Sequence, residues 1–244
     1  QALRRVMTGE ATCTLGYSEP GSGSDVFAAV TRAKREGEGW RIDGQKMFTS
    51  GAESADYVLL LARTDPDAAK HLGLTMFIVP LQVEGVTIQA VHTFQDERTN
   101  ITYYDGVFVP DSYRLGAVGG GLQVMSTALE IEQGMSFVRY HDELLAAAEC
   151  FCRETRRNDR SMIEDEGVQL RLTRVAINLA AAQMLHCRTL WNSAEGKANP
   201  ACGPASKMFS SEVYKADAVD LLNLTAPESL AFTSAAAAKI NLYF

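Results

Sequence analysis

The stretch Tyr17-Ser18-Glu19-Pro20-Gly21-Ser22-Gly23-Ser24-Asp25 concentrates more chemical capacity than any other part of this sequence. Gly21 and Gly23 permit close backbone approach and leave amide groups free to meet an anion. Ser18 and Ser24 add hydroxyl donors. An ordinary Gly/Ser surface loop has the same composition, and a lone Gly-x-Gly does not separate the two. Further on, Phe48 is followed by Thr49 and Ser50. An aromatic beside small hydroxyls suits a flat ring with polar edges, the aromatic supplying apolar area and the hydroxyls orienting the edge. Phe48 as plain core is the competing interpretation.

A second constellation is the carboxylate pair Glu130 and Glu132, on a helix expected after Gly121. Each helical residue turns about 100°. Leu122, Met125, Leu129 and Glu132 follow spacings of three, four and three, and Val124, Ala128, Ile131 and Met135 fill the adjoining arc. Glu132 therefore falls within the apolar face, while Gln123, Ser126, Glu130 and Gln133 group opposite. Burial raises a carboxylate's pKa towards the strength of a useful base. A Glu at the edge of that face, with its tip in solvent, fits the position equally.

Other chemistries have less behind them. The four histidines, His71, His92, His141 and His186, show no ligand spacing. Ser18 and Ser24 lack a recognisable base partner for hydrolysis. Five cysteines, with no C-x-x-C pair, argue against a zinc site or a disulfide framework and for reduced thiols in the cytoplasm. The net charge of −7 gives nucleic acid no electrostatic attraction. No apolar run reaches the roughly 20 residues of a membrane span, and no signal segment opens the chain.

The elements that must position these residues fall into two halves, with a shift near residue 115. Before it, short strands are expected at Tyr57–Ala62, Thr75–Val79, Val86–Ala90 and Thr102–Val109, with a hairpin turning at Asp43-Gly44 between Trp40–Ile42 and Gln45–Phe48. That spacing suggests a β-barrel or sandwich. After Gly119-Gly120-Gly121 the period becomes helical: Leu122–Tyr140, Asp142–Arg156, Val168–Ala194 and Pro204–Leu224 are expected as packed helices. The basic cluster Arg153 to Arg160 is expected to be a solvated helix end. Gln1–Gly9 has the character of a helix tail, and residues 231–244 that of a tag or mistraced tail.

The Tyr17–Asp25 loop resembles the Ser/Thr-Glu-Pro-x-x-Gly-Ser-Asp loop of the acyl-CoA dehydrogenases. The order of later fragments matches too: Gly44-Gln45-Lys46-Met47-Phe48-Thr49-Ser50, Ala55-Asp56-Tyr57, Arg63-Thr64-Asp65, Ile78-Val79-Pro80, Gly85-Val86, Val107-Phe108-Val109-Pro110 and the triple glycine. The resemblance covers roughly residues 8 to 230. It implies an α+β fold, a β-barrel-like middle domain over residues 1–115 followed by a helical bundle over 116–230, with the family's N-terminal helical domain absent from this sequence. It implies FAD as cofactor and α,β-desaturation of an acyl-CoA thioester, with electrons passed to an electron-transfer flavoprotein.

Position by position, the resemblance places Tyr17 and Ser18 against the flavin ring, and Gly23 and Ser24 near the flavin diphosphate and the substrate's pantetheine. Phe48 flanks the isoalloxazine and Ser50 lies near flavin N5. Leu129-Glu130-Ile131-Glu132 matches the branch of the family whose base sits on this helix, which makes Glu132 the base that removes the α proton. Ser24, Leu129 and Gln133 are the residues expected to meet substrate. Gln133 stands where the family usually has Arg. The Arg-x-x-Phe-Gly stretch that holds the adenine half of a neighbour's FAD has no counterpart between Arg153 and Arg171, and the C-terminal Gly-Gly segments are not visible. Actinobacterial steroid side-chain dehydrogenases, in which two subunits share each FAD, have similar wording at Phe94–Asp105 and Thr225–Ser229. A homo- or hetero-oligomer with a second such subunit is therefore expected. The alternatives are a non-catalytic partner subunit and a flavin oxidase or monooxygenase on the same fold.

Overall fold

A computed structural model describes residues 2–93, 98–134, 137–197, 199 and 201–230, with the side chains of 130–134 outside that description. The elements run α1 Ala2–Met7, β1 Cys13–Gly16, β2 Arg32–Glu36, β3 Gly39–Lys46, β4 Tyr57–Arg63, β5 Leu74–Pro80, β6 Val86–His92, β7 Arg98–Pro110, β8 Arg114–Leu115, α2 Gly121–Gly134, α3 Val138–Glu154, β9 Arg156–Arg157, β10 Arg160–Ser161, α4 Glu166–Ala194 and α5 Cys202–Leu224. The chain divides into two compact units, residues 1–128 and 129–244.

In the first unit the strands form one mixed sheet in the order β6-β7-β3-β2-β4-β5-β8, with β1 lying parallel to β4. Tyr-Val-Leu-Leu-Leu-Ala-Arg (β4) and Leu-Thr-Met-Phe-Ile-Val-Pro (β5) are buried almost throughout, the signature of strands covered on both faces. The expected barrel does not form. Among the described residues the terminal strands β6 and β8 pair only with β7 and β5, so the sheet is open. The physical reason lies in those two strands. β8 is two residues long, and β6 alternates half-buried and exposed side chains, as an edge strand does. Closure needs two edges long enough to zip together.

The expected hairpin at Asp43-Gly44 is also absent. β3 runs straight through it, pairing with β7 from Gly39↔Pro110 to Lys46↔Thr102 with a bulge between Ile42 and Gly44. Gly44 does need its freedom, since it sits at φ +146 and a Cβ there would lie 2.6 Å from the Thr31 hydroxyl. Asp43 Oδ1 accepts a hydrogen bond from the Gly106 amide (2.8 Å). The extra residue of the bulge lies on β7, opposite this dipeptide, since two steps from Ile42 to Gly44 face three from Val107 to Tyr104. The chain reverses earlier, between β2 and β3, at Gly37 with φ +55. The core of this unit gathers Trp40, Ile42, Val58, Leu60, Phe77, Val79, Tyr104 and Val107.

In the second unit, Leu144, Leu145, Phe151, Leu172, Val175, Leu179 and Leu221 form the core between α3, α4 and α5. The buried stripe of α4 is Val168, Leu172, Val175, Leu179 and Ala182, alternating spacings of four and three. Asp165 caps α4 by accepting from the Val168 amide at 3.0 Å. Of the helix expected over Leu122–Tyr140, α2 is described to Gly134 and α3 from Val138, with Phe137 at its start and residues 135 and 136 outside the described residues. The basic cluster is solvated, but beyond Glu154 it is a short hairpin. Asn158 and Asp159 take positive φ (51° and 61°), as a tight two-residue turn requires. The tail expectation for 231–244 lies outside the described residues.

Candidate active site

The loop after β1 is clamped at its base. Glu19 and Ser22 exchange two backbone hydrogen bonds (2.9 and 3.0 Å), closing a tight turn over Pro20 and Gly21. The Glu19 carboxylate is buried and accepts from the Val30 amide (2.7 Å), the Thr31 amide (3.0 Å) and Lys46 Nζ (2.8 Å). Lys46 is completely buried, and its ammonium also donates to the Tyr17 carbonyl at 3.1 Å. Burial, the largest effect, pushes the Glu19 carboxyl up. The Lys46 charge, its hydrogen bond and the two amides outweigh burial and hold the carboxyl below the usual carboxylate range. Burial also pushes the Lys46 ammonium down, against the pull of Glu19.

Around this pair the structure assembles most of the residues expected at a flavin ring. The Met47 amide donates to the Ser18 carbonyl (2.9 Å), joining the loop to the end of β3. Phe48 follows in the left-handed region (φ 56) and is 63% exposed, so it is not core. Ser50 Oγ pairs with Thr99 Oγ1 at 3.0 Å, and its carbonyl accepts from the Thr14 hydroxyl. Asn100 Nδ2 donates to the Thr49 carbonyl (3.0 Å) and to Glu53 (2.6 Å), holding the 47–53 segment on β7. Tyr17, Ser18, Phe48 and Ser50 thus share one patch. Gly23 and Ser24 lie exposed on the outer part of the loop, and a Cβ placed on Gly21 or Gly23 would meet nothing within 4 Å. The buried Ser22 hydroxyl has no partner among the described residues.

An exposed aromatic in a strained conformation near the Ser50 hydroxyl, joined through Met47 to a loop whose glycines have open space, fits a flat ring with an anionic tail. The sequence argument did not assign roles to Glu19, Lys46, Thr99 or Asn100. Lys46 shares strand parity with the buried Trp40 and Ile42, a pattern that marks an inward side chain.

On α2, Met125 is buried, Leu129 is half-buried, and Gln123, Ser126 and Thr127 are exposed. The apolar stripe therefore lies where the spacing put it. Glu132 and Gln133 are on this helix, but their side chains lie outside the described residues. Among the described residues, no group of three or more His, Cys, Asp or Glu could hold a metal ion. No described helix is long and apolar enough to cross a membrane.

Residues 14–103 match the acyl-CoA dehydrogenase middle domain, and residues 119–240 match the acyl-CoA dehydrogenase C-terminal domain. The chain is 33% identical over 231 residues to acyl-CoA dehydrogenase FadE26 of Mycobacterium tuberculosis, covering 86% of this chain and 55% of that protein. Among solved structures it is similar to the ChsE4-ChsE5 complex from Mycobacterium tuberculosis (TM-score 0.87, 29% identity, 99% of this chain and 64% of that one). It is also similar to the Tcur3481-Tcur3483 steroid ACAD (TM-score 0.84, 30% identity, 98% of this chain and 63% of that one). The chain thus spans a little over half the length of FadE26 and under two thirds of these solved chains. With both its halves matched in order, the chain belongs to the acyl-CoA dehydrogenase family, whose fold binds FAD.

Proposed function

We propose that this chain takes part in FAD-dependent α,β-desaturation of an acyl-CoA thioester, with a steroid side chain as the acyl group. The observation that carries this is the patch of Tyr17, Ser18, Phe48 and Ser50, brought together by the Met47–Ser18 and Ser50–Thr99 hydrogen bonds. The flavin, when bound, supplies a hydride acceptor at N5. Phe48 covers a ring face with apolar area, and Ser18 and Ser50 orient its polar edge. Gly23 and Ser24 offer amide and hydroxyl donors to the diphosphate and to pantetheine. Glu132, on the stripe continued from Met125 and Leu129, removes the α proton, and Leu129 and Gln133 border the acyl chain. In this scheme residues 1–115 form the domain that meets the ring, and 116–230 the helical domain that carries the base.

The steroid substrate is supported by similarity to a steroid ACAD at 30% identity. A second acyl-CoA dehydrogenase subunit as partner is supported by similarity to the ChsE4-ChsE5 complex and by the outer face of α4. There Leu170, Ile177, Met184 and Trp191 are all exposed at seven-residue spacing, opposite the stripe that faces the core. An electron-transfer flavoprotein is the proposed acceptor, and the cytoplasm, where free cysteines persist, the proposed compartment.

The test is anaerobic titration of the flavin-loaded protein, co-expressed with a candidate partner, against steroid and straight-chain acyl-CoA thioesters. The proposal requires flavin bleaching by a steroid thioester. Flavin that no thioester bleaches would favour a non-catalytic subunit.

A further inference from the structure

We infer that Lys46 and Glu19 are positioning residues for the flavin site, acting through the Tyr17 carbonyl to set the orientation of the Tyr17–Ser18 peptide. The inference rests on the proposed placement of the flavin ring against Tyr17 and Ser18. A buried lysine and glutamate are rarely left in a fold without a task, because both must leave water. Here their side-chain hydrogen bonds tie the loop at Tyr17 and Glu19 to the end of β3 and to the start of β2. Lys46 Nζ reaches the Tyr17 carbonyl at 3.1 Å and Glu19 at 2.8 Å. Glu19 spends its remaining acceptor capacity on the amides of Val30 and Thr31, where the chain leaves the loop.

A trans peptide is planar, so its carbonyl and amide point in opposite directions. With the Tyr17 carbonyl drawn inward to Lys46, the Ser18 amide is turned outward, away from the ammonium. On its other side the Ser18 carbonyl is held by the Met47 amide at 2.9 Å. Two consecutive peptides, Tyr17–Ser18 and Ser18–Glu19, are therefore each held at the carbonyl, by Lys46 at the end of β3 and by Met47 just after it. Gly16, just before the loop, is also closely packed. A Cβ there would come within 2.8 Å of Val58 and 3.3 Å of Leu60, so its absence lets β1 lie close against β4, with the Lys46 stem at an ordinary contact distance of 3.5 Å. Neither Lys46 nor Glu19 needs to touch the flavin. Their effect is to pre-set a backbone donor, and pre-organised donors bind more tightly than ones that must be ordered on binding.

The experiment uses the full chain, with its partner where one is needed to load flavin. The double variant Lys46→Met/Glu19→Gln removes both charges together and so avoids stranding one of them. Its fold is checked by circular dichroism. The expected result is FAD affinity roughly tenfold weaker, the scale of one lost hydrogen-bonded orientation, with a shifted flavin visible absorption and circular dichroism band. The single variant Glu19→Gln keeps the Lys46–Tyr17 contact and is expected to lose less affinity. It also provides the comparison if the double variant does not fold. Unchanged flavin affinity and spectrum in a folded double variant, or in Glu19→Gln alone when only that variant folds, overturns the inference while leaving the flavin site standing. A wild-type protein that takes up no flavin with any partner overturns the site itself and the inference with it.

Discussion

His141 Nε2 lies 3.0 Å from Asp217 Oδ2, joining α3 to α5 where both side chains are shielded from solvent. Asn178 on α4 donates to both oxygens of the same carboxylate, at 3.1 and 3.0 Å. One buried acid thus serves three helices. Asp217→Ala is expected to leave the His141 and Asn178 groups without their acceptor, at a cost of about 2–5 kcal/mol. Urea denaturation of the variant measures it, and a loss under 1 kcal/mol would show that the cluster adapts.

Acid should expose the role of Glu19 in stability. Its carboxyl is held below the ordinary value of 4.5 in the folded chain. A carboxyl with a lowered folded pKa stabilises the fold fully above its unfolded value and loses that contribution as pH falls through the folded one. Glu19→Gln should therefore be most destabilising, relative to wild type, at neutral pH. The gap should narrow as pH falls below about 4.5. Melting temperatures of both proteins between pH 7 and pH 3.5 check the direction.

The sequence made the strands β4 to β7, the helices α4 and α5 and the glycine-rich turn at Glu19–Ser22 legible, because each announces itself within a few residues. What it hid depends on pairing. Gly44 does take a positive φ, yet whether the chain turns there or runs on is decided by β7, which pairs with both halves of β3. Barrel closure was equally out of reach. It depends on whether β6 and β8 meet, and no local pattern encodes that. The Glu19–Lys46 pair spans 27 positions, so neither residue signals the other. Only the inward parity of Lys46 beside Ile42 hints at its burial.

Phe48 should show stability and binding pulling apart. It holds φ 56 while remaining largely exposed, so it bears backbone strain and buries little in return. Phe48→Gly is expected to stabilise the flavin-free protein by about 1 kcal/mol, the scale of the left-handed penalty for an L-residue. The same change should weaken FAD binding through loss of the apolar face. Thermal melts of the flavin-free protein, paired with FAD titration, give the two signs. A variant that is less stable and binds flavin normally would make Phe48 a structural residue.

The outer stripe of α4 predicts association. Leu170, Ile177, Met184 and Trp191 present one exposed apolar line along a helix whose opposite face is already buried. Lines of that kind on a helix mark a surface for another protein. Ile177→Glu with Met184→Glu should lower the oligomeric mass seen by sedimentation, with partner present. Stability of the released chain should change by no more than about 0.5 kcal/mol, as for exposed sites generally.

Glu132 carries the sharpest prediction about chemistry. By sequence spacing, position 132 falls on the same helical stripe as Met125 and Leu129, which is the ground for proposing Glu132 as the base. Glu132→Gln keeps the shape and removes the proton acceptor. Desaturation should fall by roughly 10²–10⁴-fold, the usual contribution of a general base, while flavin content stays at the wild-type level. Stopped-flow bleaching of the loaded protein by acyl-CoA separates this from a binding defect. A slow rate at saturating thioester places the fault in proton removal, whereas a normal rate reached only at higher thioester concentration would place Glu132 in substrate binding. Normal bleaching at ordinary concentrations would move the base to another carboxylate, with Glu130, on the same helix, the next to replace.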